Sequence, residues 1–284
     1  MNKITGFLLT GTGVLFGTAF RTLASEEAES AAETAAEASR GGASAPGLLG
    51  SIAQNAGFIA AALAIGAGLI LLARILEKFF CRDTKAVSPA FRITLTAMLS
   101  AVAFVLMLLD FPVPFAPGFY KLDFSEVPIL FAAFFLGPTA GVVCELIKNV
   151  LEVLIRGTST AFVGEFANFV VGCSLVLPAS VVYWRKRNKK TALLGCVTGT
   201  IVIAVVGSLL NAVYLLPAFS RLYGIPMDSL IAMGTAIFRS VQGVWTFVLF
   251  CVAPMNLLKG AMVSAVVMLI YKPLSRAITP LIRK

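Results

Sequence analysis

Apolar runs separated by short polar or proline-rich breaks dominate this sequence, and several are 18 residues or longer. At about 1.5 Å per helical residue, such a run crosses about 30 Å of hydrocarbon. From Pro89 onward the pattern predicts six helical spans: Phe91 to Leu109, Glu126 to Leu136, Thr139 to Ile155, Phe162 to Trp184, Thr191 to Leu216, and Pro254 to Tyr271. The second is short. Gly137-Pro138 supplies a tight turn after it, while Pro112, Pro114, Pro117 and Gly118 predict a non-helical loop between the first two spans. Residues 217 to 253 start polar, and Ser229 to Ala253 then reads as a partly buried surface helix leading into the last span.

The first 88 residues carry a different pattern. Lys3, the apolar stretch Ile4 to Phe20 and Thr22-Leu23-Ala24 predict a signal peptide or signal anchor over 1–24. Five glutamates among Ala, Ser and Gly make 25–50 an acidic tether without enough apolar surface for a core. Ile52 to Leu76 predicts an extra transmembrane helix, followed by a basic linker to residue 88. The expected fold is therefore an all-α membrane bundle of six helices over 89–284, preceded by one extra span.

Composition agrees: 58% of the 284 residues are hydrophobic and 13% charged, where soluble domains carry about a quarter charged. The chain has no histidine, which excludes Ser-His-Asp catalysis and HExxH zinc sites. No GxxxxGK[ST] motif is present, so any use of ATP must come from a partner. The five cysteines are scattered through apolar runs without a CxxC pair and read as small core residues, with no metal site implied. The net charge of +9 is concentrated in blocks at 74–85, 185–190 and 272–284, which hold four, five and four of the 23 basic residues. The span count places all three on one side, the cytoplasm by the positive-inside rule, which favours a topology signal over nucleic-acid binding. The C-terminus is then cytoplasmic.

Polar residues within the spans fall at one depth, toward the outer face. They are Asp123, Ser125 and Glu126 at the second span, Lys148, Asn149, Glu152 and Arg156 in the third, Glu165 and Asn168 in the fourth, Asn211 and Tyr214 in the fifth, and Asn256 and Lys259 in the sixth. A charge in the membrane core costs about 2.5 kcal/mol or more, so their clustering predicts a shared polar cavity open to the outside. Bland roles stay open: Ser125 or Asp123 as a cap of the second helix, and Lys148 paired with Glu145 or Glu152 on its own helix. Asn256 and Lys259, at i and i+3 with no acid nearby in sequence, favour ligand contact. Asparagines and a lysine suit the edge of a flat ring carrying carbonyls and ring nitrogens, with Phe119, Tyr120 and Tyr214 over its faces; the carboxylates alone suit a cation equally well. In the first span, Ala97 and Ala101 form a small-xxx-small face for another helix, inside or outside this bundle.

The ordered series Tyr120-Lys121-Leu122-Asp123-Phe124-Ser125-Glu126, then Glu145 with Lys148-Asn149, then Thr160 and Gly164-Glu165 with Asn168, and finally Asn256 with Lys259-Gly260 resembles the riboflavin-specific substrate-binding (S) components of energy-coupling factor (ECF) transporters. The resemblance implies a six-helix S component that binds riboflavin, with FMN, another vitamin or flavin export as alternatives, in an outward-facing pocket closed by the loop between its first two helices. It implies uptake without enzymatic activity or a bound cofactor, together with a membrane coupling protein and two ATPase subunits, the Ala97/Ala101 face docking on the coupling protein. The implied binding residues are Asn256, Lys259 and Asn211, with Asn168, Lys121, Asp123, Thr160, Gly164, Glu165 and Tyr214 beside them. A stand-alone proton-coupled carrier is the alternative from a different class, and it would need Glu145, Glu152 or Glu165 to titrate.

Overall fold

The protein is described from a computed structural model over residues 56–81, 88–158 and 160–282, with side chains omitted at 56–58 and 279–282. The signal-like segment 1–24 and the acidic tether 25–50 lie outside the described residues, as does most of the basic linker. The helices are α1 (Ala56–Phe80), α2 (Pro89–Met107), α3 (Glu126–Leu136), α4 (Pro138–Arg156), α5 (Val163–Trp184), α6 (Lys189–Leu210), α7 (Leu216–Tyr223), α8 (Met227–Ile237), α9 (Val244–Phe247) and α10 (Ala253–Ile282).

All six expected spans are present, as α2 to α6 and α10. Five described helical stretches are long and apolar enough to cross a membrane: α1, α2, α5, α6 with its extension, and α10 with the turn before it. The other two members of the bundle depart from a simple apolar rod for different reasons. α4 carries Glu145, Lys148, Glu152 and Arg156 along its length. α3 has 11 residues and reaches only about 16 Å. The chain before it covers the remaining depth: strand β1 (Phe111–Pro112) pairs antiparallel with β2 (Lys121–Leu122), and this hairpin leads into the buried segment Asp123 to Glu126.

Local chemistry sets the boundaries. Ser88 caps α2, its hydroxyl accepting from Phe91 N, with Pro89 in the first turn. Asn188 and Thr191 close a reciprocal capping box at the start of α6. Gly137, at φ +111°, makes the turn from α3 to α4, and an added Cβ there would lie 3.0 Å from the Glu77 carboxyl group. Ser125 does not cap α3; its backbone N–H donates to Asp123 Oδ1, and its hydroxyl accepts from Lys148.

The main core is built from α3, α5, α6 and α10, with Phe134 stacked on Tyr183 at 4.4 Å and Trp184 Nε1 donating to Ala133 O. All five cysteines are free and buried, as small core residues. Two ring contacts bring the basic blocks to one end of the bundle: Arg185 sits over Phe80, and Tyr183 Oη meets Tyr271 Oη at 3.2 Å. A second apolar cluster at the opposite end packs the hairpin loop against the segment between α6 and α10.

That segment corrects the expected single surface helix over Ser229 to Ala253. The helix stops at Ile237, where Phe238 turns extended, leaving α8 short, and after Gly243 the final rod starts at Val244, ten residues earlier than Pro254. The fifth span also runs past Leu216 to Tyr223, because a five-residue π-helix, Asn211–Leu215, joins α6 to α7 without ending the rod.

Candidate functional site

At the end opposite the basic blocks, a cavity of about 250 Å³ opens between the hairpin loop, α4, α5, the π-helix after α6 and the first turns of α10. Its wall includes Lys121, Asp123, Gly164, Asn168, Asn211, Asn256 and Lys259, which come from four separate stretches of chain. Pockets that bury a small ligand combine an apolar lining with a few convergent polar groups, and Met107, Phe119, Tyr120, Phe219 and Met255 supply that lining here.

Each polar group is held by its own local structure. Asn256 and Lys259 project one turn apart from α10, and Asn256 Nδ2 donates to Val252 O. The π-helix carries Asn211, whose Nδ2 donates to Gly207 O while its Oδ1 accepts from Tyr120 Oη at 2.6 Å. That last bond fastens the hairpin loop across the cavity mouth. A single inserted residue re-aims helical side chains, and such π-turns recur at functional sites. Asn168 lies on α5, its Nδ2 4.0 Å from Met107 Sδ. Outside these, Lys121 and Arg156 both reach Asp110, at 3.3 and 3.9 Å, and form a charged rim.

From the cavity wall a buried ion network runs inward. Lys259 Nζ is 2.9 Å from Glu126 Oε1 and 3.4 Å from Asp123 Oδ2. Deeper still, Lys148 Nζ pairs with Glu145 at 2.8 Å and with Glu126 at 3.4 Å, and donates to Ser125 Oγ at 3.1 Å. Buried charges persist only when paired and hydrogen-bonded, which accounts for two lysines sharing Glu126. Lys148 takes Glu145 as its helix partner and does not reach Glu152, which lines the cavity instead. The expectation that Lys259 lacks an acidic partner is corrected: its partners lie at the start of α3, remote in sequence.

Three of the expected residues stand off the cavity wall. Thr160 Oγ1 donates to Glu165 Oε2 at 2.6 Å and accepts from Gly164 N, so both side chains fasten the start of α5. Glu165 turns to a groove beside α1. Tyr214 meets Phe166 edge-on at 6.1 Å. The wall also holds Phe219, in the segment 217 to 253 whose helix limits were undefined, and Met255, an apolar residue of the last span that carried no polar signal. Ala97 and Ala101 are exposed on α2 and do not pack within the bundle.

Known proteins resemble this chain in sequence and in fold. Residues 91–271 match the family described as ECF transporter, substrate-specific component. The chain is 37% identical over 184 residues to a protein named riboflavin transporter RibU of Staphylococcus aureus (strain TCH60), covering 65% of this chain and 90% of that one. It is 36% identical over 181 residues to riboflavin transporter FmnP of Bacillus subtilis (strain 168), covering 63% and 90%. A solved structure of the S component of a bacterial ECF transporter superposes with a TM-score of 0.54 at 37% identity, covering 67% of this chain and 99% of that one. The family match and the bundle carry one conclusion: this chain belongs to the substrate-specific components of ECF transporters, as a multi-pass membrane protein.

Proposed function

We propose that the chain captures riboflavin from outside the cell and delivers it for uptake. The observation that carries this reading is the cavity wall itself. Asn256 and Lys259 offer an amide and an ammonium one turn apart, Asn168 and Asn211 offer further amides, and Phe119, Tyr120 and Phe219 are placed to cover a flat ring. The names of the relatives agree with it. Riboflavin is preferred over FMN because the charged wall residues are Asp110, Asp123, Glu152, Lys121 and Lys259, one more acid than base, which disfavours an added phosphate.

The three basic blocks support a cytoplasmic C-terminus, with the cavity facing outward. Residues 89–284 form the substrate-binding domain, and 51–88 form an added span with its linker, beyond a signal-like segment and tether over 1–50. The chain performs no chemistry. ATP hydrolysis belongs to two ATPase subunits, linked through a membrane coupling protein that docks on the exposed Ala97/Ala101 face. The bound molecule is cargo, and no resident cofactor or nucleic acid is involved.

The test is a titration of the purified full chain against riboflavin, FMN, FAD, thiamine and folate, followed by flavin fluorescence or heat. Saturable binding of one riboflavin per chain is expected; folded protein that binds no flavin rejects the assignment. Uptake into vesicles by the chain alone, driven by a pH gradient, would instead establish a stand-alone carrier.

A further inference from the structure

The second large recess lies at the basic end, remote from the cavity, and α1 builds one wall of it. This groove of about 790 Å³ runs between α1, α2 and α4. The family match begins at residue 91, so α1 is an addition to the shared bundle. It is fastened to the bundle by Glu77, which pairs with Arg92 at 2.7 Å and accepts from Thr139 N at 3.1 Å, the latter at the free N-terminal end of α4.

Glu77 thus fills the helix end and neutralises Arg92, and both of its roles are internal. Arg74 and Lys78, at i and i+4 on α1, line the same groove, and neither has an acidic partner among the described residues. Two neighbouring cations at this end are already engaged with rings: Arg187 over Trp184 at 3.6 Å and Arg185 over Phe80 at 6.0 Å. The groove therefore carries a net charge of +2, from Arg74, Lys78 and Arg92 against Glu77. Apart from Thr96 and Thr139, its remaining wall is apolar, through Ile93, Ala97, Val143 and Ile147 among others, with Ile93 70% exposed.

We propose that this groove binds one anionic phospholipid, its phosphodiester head between Arg74 and Lys78 and an acyl chain along Ile93, Val143 and Ile147. A head of charge −1 meets the two unpaired cations where α1 leaves the hydrocarbon, and basic pockets between helices at that level suit such heads. The apolar wall selects a lipid over a free phosphate ester, which has nothing to lay against it. The lipid seals α1 onto the bundle, so the added span moves with the substrate-binding domain as one body.

The test is native mass spectrometry of the full chain in mixed micelles holding equal amounts of phosphatidylglycerol and phosphatidylcholine with the same acyl chains. Preferential retention of one phosphatidylglycerol is expected. Arg74→Gln and Lys78→Gln should each lower that retention about five-fold, as for about 1 kcal/mol per cation at a membrane surface. Both residues are exposed on α1, and Arg74→Lys and Lys78→Arg, which keep the charge, should retain the lipid and so exclude a folding defect. Equal retention of the two lipids overturns the proposal, as does undiminished phosphatidylglycerol in the Arg74→Gln/Lys78→Gln protein. Displacement of the lipid by an equal concentration of free glycerol phosphate would assign the groove to a soluble phosphate ester and likewise reject it.

Discussion

Lys259 Nζ lies 3.4 Å from Asp123 Oδ2, a contact made across 136 residues of sequence. Both side chains are more than nine-tenths buried, and Glu126 holds the same ammonium at 2.9 Å. The lysine therefore reaches the cavity wall with its charge already balanced, and a ligand carbonyl becomes a further acceptor for a group fixed in place. Pre-organised donors of this kind lose little freedom when a ligand arrives.

Removing that donor should affect binding and stability together. Lys259→Ala is expected to weaken riboflavin binding by about 1 to 3 kcal/mol, and Asn256→Ala by a similar amount, because each leaves a ligand acceptor or donor unsatisfied. Lys259→Ala should also lower the thermal midpoint by leaving Asp123 unpaired, whereas Asn256→Ala should change it less. Flavin titration and thermal unfolding of the same preparations separate the two effects. Unchanged affinity in folded Lys259→Ala protein removes this lysine from the site.

Gly207 tests the same site without deleting any polar group. A Cβ there would lie 2.7 Å from Asn256 Nδ2, and the displaced carboxamide would have to leave its bond to Val252 O. Gly207→Ala should therefore weaken riboflavin binding at least ten-fold, about 1.4 kcal/mol, while the bundle still unfolds cooperatively. Wild-type affinity would show that the orientation of Asn256 is irrelevant to the ligand.

Deeper in the bundle, Lys148 is the shared cation of Glu145 and Glu126. Lys148→Met should destabilise the protein by about 3 to 5 kcal/mol, since it leaves the buried Glu145 without a counter-charge, while Glu126 keeps Lys259. Adding Glu145→Gln should recover part of that loss, a coupling that a double-mutant cycle on thermal or denaturant unfolding measures directly.

Much of this architecture was legible in the order of residues. Apolar run length located α1 and the six bundle helices, and the prolines and Gly137 marked the hairpin loop and the α3–α4 turn, because a backbone in hydrocarbon must satisfy its own hydrogen bonds and breaks only at such residues. Of the polar residues picked out by depth, Asp123, Glu152, Asn168, Asn211, Asn256 and Lys259 share one cavity wall, and the family resemblance added Lys121 and Gly164 to it. Depth says nothing about azimuth, however. Glu165 and Tyr214 lie at the expected height but face the groove beside α1 and the Phe166 ring, and the π-helix that re-aims residues 211 to 215 has no signature in the apolar pattern.

By itself, then, the sequence determined a membrane bundle, its helices, the end that carries the positive charge and the level at which polar groups gather, since burial in lipid constrains each segment separately. Only the tertiary structure decided which charge meets which. Lys259 finds Asp123 and Glu126, Lys148 takes Glu145 over Glu152, Tyr120 closes on Asn211, and Glu77 of the added helix secures Arg92. These pairings depend on helix rotation and on contacts between remote segments, and an ion pair is worth forming in a low-dielectric interior only where packing brings both partners within about 3 Å.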